Sequence, residues 1–296
     1  MMYSKNVSVI LTTYNGAAFI EKQIRSILDQ NTHPDEIIIC DDKSTDETVP
    51  LLSVFINNGP IKLFINDKRL GVVENFKKAA KLAQRDNWLV FADQDDIWAP
   101  QKLTRLIDEM ALIDDGSTPA LIYSDLSIID KNDAVISESF WAGQKIRPEK
   151  IKLATLLYGN VVTGCTMIIN YPMAEEFFQM DDPNFLHDEW LALVAYSFGK
   201  AKFLRDRLVF YRKHESNVTF PEDYKVPGFK DSIKEDVDHL SGKKRFLPHE
   251  FNLAKAFLLK YRSRLSHKQT DIIEHFLKQE NKNYLLQRIR RRITFK

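Results

Sequence analysis

Short apolar runs alternate with helical patterns along the first third of the chain, and this alternation limits the possible folds more than any other feature. Strand-like runs occur at 7–11, 36–40, 61–65 and 88–92, and apolar residues recur at helical spacing at 19–30, 44–57, 72–83 and 100–111. Strands that alternate with helices of this length are typical of βαβ units. We therefore predict an α/β fold with a mainly parallel mixed sheet, flanking helices and a ligand crevice at the carboxyl ends of the strands.

The rest of the chain is less regular. The pattern predicts a strand at 121–124, an irregular substrate-facing region at 125–149, a helix at 151–158, two short strands at 201–204 and 207–211, and helices at 248–264 and 266–280. A chain of 296 residues exceeds the usual size of one core. We predict an α/β domain at 1–220 and a helical C-terminal extension at 221–296.

Charge and cysteine content argue against several classes of protein. A net charge of +1 argues against general nucleic-acid binding. The two cysteines, Cys40 and Cys165, lie in different apolar runs and suit neither a disulfide scaffold nor a zinc site. The N-terminus lacks the pattern of a secretion signal, and no apolar run approaches membrane-spanning length. We therefore expect a cytoplasmic protein that does not bind nucleic acid.

Basic residues are concentrated at the C-terminus. Residues 282–296 contain six lysines and arginines and no acid, together with several large apolar side chains. This composition predicts peripheral contact with an anionic membrane, at the inner face of the cell membrane. A solvated basic helix end or a disordered tail accounts for the same composition equally well.

Three carboxylates directly follow the apolar run at 88–92. Asp93, Asp95 and Asp96 stand within four positions, where their charges repel one another. A hard divalent cation with oxygen ligands would offset that repulsion, so the sequence predicts a metal site. The alternative is an N-cap for the helix that begins near residue 100, although a cap uses one carboxylate and not three.

Earlier in the chain, an acidic loop also follows the run at 36–40. Its strand-to-helix turn offers helix amides to an anion, and Asp42 offers an acceptor to a base that carries a ring N–H. Ser44 and Glu47, three residues apart, predict a capping box for the next helix. The segment from Thr12 to Tyr14, on the neighbouring loop, would line the base and the sugar. An ordinary strand-to-helix turn is the alternative.

Two further polar segments carry candidate chemistry. Asp188 stands in the first turn of a predicted helix, where an acid is commonly a favourable partner of the helix dipole. That position lowers the basicity of a carboxylate, so a base there would need desolvation to compensate. His214 lies in a polar loop after the run at 207–211, either as a metal ligand or diphosphate contact or as an ordinary loop histidine.

Taken together, these motifs resemble those of family 2 glycosyltransferases with the GT-A fold. The likeness covers roughly residues 5 to 217 and is greatest to bacterial rhamnosyltransferase-type enzymes of surface-polysaccharide synthesis. The matching segments are Val9-Ile10-Leu11-Thr12-Thr13-Tyr14-Asn15-Gly16, Asp41-Asp42 with Ser44-Thr45-Asp46, Asp93-Gln94-Asp95-Asp96, Gly164-Cys165-Thr166, His187-Asp188-Glu189-Trp190, and Tyr211-Arg212 with His214 and Asn217.

The resemblance implies an inverting transfer of a sugar from a UDP- or dTDP-sugar, with dTDP-rhamnose as one candidate, to a hydroxyl of a glycan or lipid-linked glycan. It makes Asp188 the catalytic base and Asp93, Asp95 and His214 the ligands of Mn²⁺ or Mg²⁺. The donor nucleotide would contact Thr12, Thr13, Tyr14, Asp42, Ser44, Asp93 and Gln94. Acceptor-side or secondary roles would fall to Asp96, Gly164, Cys165, His187 and Trp190.

Two other functions compete with this interpretation. A sugar nucleotidylyltransferase also combines an α/β sheet, carboxylates and a metal, but it needs a glycine-rich phosphate loop where this chain has Thr12-Thr13-Tyr14-Asn15-Gly16. A non-catalytic binding or assembly module of the same fold is the other alternative, and the complete set of carboxylates argues against it. The sugar and the acceptor depend on pocket shape at 125–150 and 160–166, which the sequence does not reveal.

Overall fold

A computed structural model of the protein describes residues 5–56, 60–215 and 246–294. Its strands are β1 (Val7–Thr13), β2 (Glu36–Asp41), β3 (Ile61–Ile65), β4 (Trp88–Ala92), β5 (Ile97–Trp98), β6 (Ala120–Ile129), β7 (Val135–Ser137), β8 (Ile168–Ile169) and β9 (Lys200–Arg212). Its helices are α1 (Ile20–Leu28), α2 (Thr48–Ile56), α3 (Val72–Leu82), α4 (Lys102–Ile113), α5 (Phe140–Gln144), α6 (Leu153–Leu156), α7 (Tyr171–Phe178), α8 (His187–Ser197), α9 (Pro248–Tyr261), α10 (His267–Leu277) and α11 (Tyr284–Thr294).

The strands form one mixed sheet in the order β3-β2-β1-β4-β8-β6-β9-β5, and β7 pairs with β6. Strands β3, β2, β1 and β4 run parallel to one another, and β6 runs parallel to β9, whereas β5 is antiparallel to β9. The short strand β8 runs antiparallel between β4 and β6 and joins the two parallel groups. The predicted mixed sheet with flanking helices is confirmed.

The core lies along the two central strands that the sequence marks by continuous apolar runs. All residues of β2 and β4 are buried, as expected for strands covered by helices on both faces. Helix α1 buries Ile20, Ile24 and Ile27, which share one face at helical spacing. Helices on both sides therefore leave the carboxyl ends of β1, β2 and β4 as the open edge of this group.

Two local predictions were wrong. Residues 200–212 form the single strand β9 where two short strands were expected, because β9 pairs in parallel with the long strand β6 and shifts register opposite Asp125. The register shift accommodates the polar residues that looked like a turn. The region at 125–149 is also more regular than predicted, since it contains the end of β6, the strand β7 and the helix α5.

The chain divides into two compact units. The first contains residues 1–144 and 162–212, and the second contains residues 145–161 and 213–296. The boundary predicted near residue 220 lies outside the described residues, so that division stays a prediction. Within the second unit, Phe276 stacks on Phe251 at 4.6 Å and meets the edge of Tyr158 at 4.9 Å between ring centroids. No helix in the described segments has the length and apolar composition needed to cross a bilayer.

Candidate active site

The loops after β1 and β4 are joined by one side chain. Gln94 accepts a 2.8 Å hydrogen bond from the Tyr14 main-chain N–H and donates a 3.1 Å hydrogen bond to the Tyr14 carbonyl oxygen. A Cβ at position 16 would overlap the Gln94 Oε1, so this approach requires Gly16. The loop after β1 and the acidic loop at 93–96 are thereby held together at the sheet edge.

The first acidic loop is organised by Asp41, which is fully buried. Its carboxylate accepts hydrogen bonds from Thr13 Oγ1 at 2.7 Å and from the Ser44 main-chain N–H at 2.8 Å. The Ser44 hydroxyl also donates to Asp41 at 2.5 Å and accepts from the Asn15 N–H at 2.8 Å. The predicted Ser44–Glu47 capping box was therefore wrong: Ser44 ties two loops together, and α2 begins only at Thr48.

Asp42 anchors a third loop, which spans residues 66–71. Asp42 Oδ1 accepts from Asn66 Nδ2 at 2.9 Å and from the Leu70 N–H at 2.6 Å, and Oδ2 accepts from the Gly71 N–H at 2.9 Å. Only 3% of Asp42 is exposed. Because each carboxylate oxygen accepts about two hydrogen bonds, Oδ2 keeps one acceptor position for a ligand.

The loop at 66–71 also reaches the Tyr14 ring. The Arg69 guanidinium carbon lies 3.8 Å from the centre of that ring, within the range of a cation–π contact. Tyr14 and Thr12 are half-buried, and Thr13 is buried. Thr12 and Tyr14 are therefore accessible to a ligand at this edge, whereas Thr13 supports Asp41 from inside.

The second acidic loop, residues 93–96, contains two half-buried carboxylates and one buried carboxylate. Asp93 and Asp95 are partly exposed, while Asp96 is fully buried. Asp96 Oδ1 accepts a 3.0 Å hydrogen bond from the Arg212 N–H, and Oδ2 has no oxygen or nitrogen donor among the described residues. Burial, with repulsion from Asp95, raises the pKa of Asp93 to about 7, and burial raises the pKa of Asp96 well above its usual range.

Two of these carboxylates, Asp93 and Asp96, form a candidate metal site with one neighbour from the 164–166 turn, while Asp95 lies outside that group. Ligand atoms of Asp93, Asp96 and Cys165 lie within 4.8 Å of one another. Burial raises the pKa of the Cys165 thiol, so the thiol stays protonated and is a poor ligand for a hard cation. The carboxylate oxygens suit Mg²⁺ or Mn²⁺, and a divalent cation would satisfy both the mutual repulsion and the unpartnered Asp96 Oδ2.

A buried lysine lies behind this cluster. Lys102 is fully buried, donates a 2.6 Å hydrogen bond to the Cys165 carbonyl oxygen, and has its ammonium 3.3 Å from the centre of the Trp98 ring. Burial lowers the pKa of Lys102 to about 7, although Asp96 and Asp93 attract its charge. One ammonium cannot balance three neighbouring carboxylates, so the loop remains a favourable place for a further cation.

Asp188, at the start of α8, is a carboxyl group prepared to accept a proton near neutral pH. Its Oδ2 accepts from the Gly164 N–H at 3.1 Å and its Oδ1 from the Glu189 N–H at 2.7 Å. These amides lower the pKa of Asp188, but burial outweighs them and, with repulsion from Glu189, raises it to about 7. The negative charge of Asp93 adds to the rise, so the two carboxylates lie within electrostatic reach of each other.

His187 and Trp190 form the buried support of this helix. The His187 ring packs between Phe76 at 4.7 Å and Phe91 at 5.0 Å, and burial lowers its pKa to about 3. A Cβ at Gly164 would lie 2.9 Å from His187 Nε2, which leaves room for glycine only. Trp190 is 3% exposed. Neither ring lies at a surface where an acceptor would meet it.

Four further residues bear on the site: one that the sequence predicted and three that it did not. His214 is buried and belongs to the second unit, so its role as a metal ligand stays a prediction. Asn66, Lys102 and Arg212 were not assigned roles from the sequence. Lys102 carried a signal, because it occupies a buried position of α4 with Leu103 and Leu106, where a charged residue is unusual.

The chain is similar in sequence to known glycosyltransferases. The family model for glycosyl transferase family 2 matches residues 8–125. The dTDP-rhamnosyl transferase RfbG of Shigella flexneri is 28% identical over 239 residues, which cover 74% of this chain and 78% of the relative. The UDP-Glc:α-D-GlcNAc-diphosphoundecaprenol β-1,3-glucosyltransferase WfgD of Escherichia coli is 30% identical over 193 residues, which cover 64% of this chain and 69% of the relative.

Solved structures agree on the fold. The Staphylococcus aureus protein TarS, residues 1–349 in complex with UDP-GlcNAc, superposes with a TM-score of 0.63 at 17% identity, over 98% of this chain and 79% of that one. The mannosyltransferase PcManGT of Pyrobaculum calidifontis, in complex with GDP-Man and Mn²⁺, gives a TM-score of 0.53 at 17% identity, over 99% of this chain and 86% of that one. With this fold, these carboxylate loops and these relatives, the chain belongs to the family 2 glycosyltransferases of the GT-A fold.

Proposed function

We propose that the chain is a metal-dependent inverting glycosyltransferase that moves a sugar from a nucleotide diphosphate sugar to an acceptor hydroxyl. The observation that carries the proposal is Asp188, a carboxyl group with a pKa of about 7 within electrostatic reach of Asp93. A general base works best when its pKa lies near the operating pH. The cleft thus combines a base with carboxylates suited to a cation on the donor side.

The donor side would be held by the three loops at the sheet edge. Thr12, Tyr14, Asp42 and Ser44 would contact the nucleotide, with Thr13 and Gln94 fixing the position of their loops. Asp93 and Asp95 would hold Mn²⁺ or Mg²⁺, with Asp96 as a further carboxylate beside Asp93. When bound, the cation supplies Lewis-acid stabilisation of the charge on the leaving diphosphate.

The acceptor side would be served by Asp188. Its carboxylate takes the proton of the acceptor hydroxyl as that oxygen attacks the anomeric carbon, and the bond to the diphosphate oxygen breaks. A single displacement of this kind inverts the anomeric configuration and needs no side-chain nucleophile. The two amide hydrogen bonds fix the direction of the carboxylate, while Gly164, Cys165, His187 and Trp190 support it from the interior.

The names of two relatives support a proposed class of donor and of acceptor. We propose a UDP- or dTDP-sugar as the donor. The first candidate is dTDP-rhamnose, because one relative is named a dTDP-rhamnosyl transferase. Another relative is named for an acceptor on diphosphoundecaprenol. A glycan or lipid-linked glycan of bacterial surface-polysaccharide synthesis is therefore the proposed acceptor, with the protein in the cytoplasm at the inner face of the cell membrane.

A donor screen tests this proposal. We expect one UDP- or dTDP-sugar to raise the melting temperature only when Mn²⁺ or Mg²⁺ is present, because a ligand of the folded state stabilises it by mass action. The same pair should release the nucleoside diphosphate, and proton NMR of the product should show the inverted anomer. Binding without release would indicate a non-catalytic module, and a retained anomer would exclude Asp188 as the base of a single displacement.

A further inference from the structure

Helix α11 has its polar face turned inward and its apolar face turned outward. Leu285, Leu286, Ile289 and Ile293 are 48%, 52%, 54% and 66% exposed, respectively. The positions 285, 289 and 293 repeat every four residues and therefore lie along one side of the helix. Among the described side chains of this helix, the buried one is instead a glutamine, Gln287, at 4% exposure. This is the reverse of the usual surface helix, which buries its apolar stripe.

Hydrogen bonds of the polar face hold the helix in this orientation. Gln287 Nε2 donates to the carbonyl oxygens of Gln279 at 2.6 Å, Glu280 at 3.1 Å and Lys282 at 3.1 Å. On the same side, Arg290 Nη1 lies 2.7 Å from His275 Nε2 of α10. These contacts fix which side of α11 faces the rest of the second unit, and they leave the apolar side exposed.

The charges around the apolar face point to one kind of partner. Residues 282–296 contain six basic residues and no acidic one, and Arg288 and Arg291 are exposed on the same helix. A second copy of the chain would bring arginine against arginine at such a contact, which is unfavourable. An anionic lipid surface offers apolar chains for the leucines and isoleucines and negative headgroups for the arginines.

We propose that α11 lies in the plane of an anionic membrane, with Leu285, Leu286, Ile289 and Ile293 inserted between the acyl chains. The proposal rests on the proposed function, because a membrane-bound acceptor gives this contact its purpose. Ile293 also borders a groove within the second unit, which includes Ile272 of α10 and the basic side chains of Lys268 and Arg290.

Vesicle flotation of the full chain tests the proposal. We expect binding to vesicles of phosphatidylcholine with phosphatidylglycerol and little binding to phosphatidylcholine alone. The double variant Leu285→Ser with Ile289→Ser should bind the anionic vesicles at least about tenfold more weakly, since each loses a large inserted side chain. Leu259→Ser is the matched control, because Leu259 on α9 in the same unit is 86% exposed and should leave binding unchanged.

A charge variant and an association measurement complete the test. Arg288→Gln with Arg291→Gln should weaken binding to anionic vesicles, and added salt should have the same effect on the unmodified chain. Equal binding of all variants, or no preference for anionic lipid, would overturn the proposal. Concentration-dependent dimers that the Leu285→Ser, Ile289→Ser variant abolishes would assign the face to a second copy instead. Metal-dependent release of nucleoside diphosphate should be equal in every variant, which separates this inference from the proposed reaction.

Discussion

Arg212 holds the main chain of Asp95: its Nε donates a 2.8 Å hydrogen bond to the Asp95 carbonyl oxygen. The same fully buried arginine donates its N–H to Asp96 Oδ1 at 3.0 Å and its Nη1 to the Asp130 carbonyl oxygen at 3.0 Å, and it pairs with Asp133. The end of β9 thereby fixes the direction in which the carboxylates of the 93–96 loop point. Arg212 is a positioning residue for the proposed metal site.

Replacing Arg212 by lysine should weaken metal binding more than it weakens the fold. Arg212→Lys keeps the positive charge but loses the fork that reaches Asp95 and Asp130 together. We expect Mn²⁺ affinity to fall about 10- to 100-fold, as for other residues that orient metal ligands. Titration of Mn²⁺, with thermal unfolding in parallel, measures both effects. Arg207→Lys on the exposed side of β9 is the control, and equal Mn²⁺ affinity in both variants would remove Arg212 from the site.

Loss of the Asp188 carboxylate should stop transfer without stopping donor binding. We expect Asp188→Asn to lower the turnover number by about 10²- to 10⁴-fold, the usual contribution of a general base. The melting-temperature rise produced by donor and Mn²⁺ should persist, because Asp188 is assigned to the acceptor. Glu175→Gln, on the exposed side of α7, serves as the charge-matched control. Full activity of Asp188→Asn would refute the assignment.

The rate should also depend on pH in a defined direction. The base must be ionised, and the pKa of Asp188 is raised to about 7 by burial, so kcat/KM should rise through neutral pH and level off above it. A pH profile at saturating Mn²⁺ measures this limb, since the cation keeps Asp93 ionised. A profile that stays flat from pH 8 down to pH 5.5 would contradict a raised pKa at the base.

Without a metal, the protein should lose stability as pH rises between about 5 and 7. Asp93 and Asp188 have folded-state pKa values of about 7, above the value of about 3.9 for an unfolded aspartate. The folded state therefore binds more protons in this window, and its free energy of unfolding falls by up to about 1.4 kcal/mol per pH unit for each group. Carboxylates with lowered pKa values, such as Asp114, are already ionised in this window and do not oppose the trend. His187, whose pKa is lowered to about 3, opposes it up to about pH 6.5, so the loss measured by thermal unfolding should be clearest between about pH 6.5 and 7.

Because protons and a cation would compete for the same carboxylates, the stabilisation of the fold by Mn²⁺ should depend on pH. Mn²⁺ should raise the melting temperature more at pH 7.5 than at pH 5.5, because protons leave the site as pH rises. Asp95→Asn should abolish most of that difference, while Asp108→Asn on the exposed side of α4 should keep it. A Mn²⁺ effect that is equal at both pH values would mean that the cation binds elsewhere.

Gly164 should tolerate no side chain. The Cβ of an alanine would lie 2.9 Å from His187 Nε2 and 3.9 Å from the Asp188 Cβ, so the backbone that donates to Asp188 must shift. We expect Gly164→Ala to lower the turnover number by about 10²-fold with little change in donor KM, as a displaced catalytic group does. Gly143→Ala is the control, because its Cβ would meet only Ser137 Oγ at 3.6 Å.

The sequence predicts those parts of the site that local pattern determines. Asp93 and Asp95 follow a buried strand directly, so their place at the sheet edge follows from the apolar run before them. The sequence does not predict that Asp96 is the buried carboxylate of this loop. Its partner is Arg212, which lies 116 residues away along the chain. The Ser44 capping box failed for the same reason, since Asp41 and Asn15 compete successfully for the Ser44 hydroxyl.

The sequence also does not show which side of α11 faces the rest of its unit. The composition of residues 282–296 indicates an amphipathic basic helix, but only the bonds of Gln287 decide which side faces the protein. For Asp188, the expected lowering of the pKa by helix amides is present, yet burial by distant segments outweighs it. Contacts between residues far apart in the chain decide the orientation of α11 and the pKa of Asp188, and the periodicity of the sequence does not reveal those contacts.

Gln94 satisfies both main-chain groups of Tyr14, and this has a consequence for any change of donor in the proposed site. Any substitution that moves the Tyr14 loop to admit another base will pull on Gln94, and through it on the Asp93 and Asp95 carbonyl backbone. In the proposed site, donor preference and cation affinity would therefore change together. An engineer who wants a new sugar nucleotide will need to vary positions 14, 16 and 94 as a set, and to select for retained cation binding at each round.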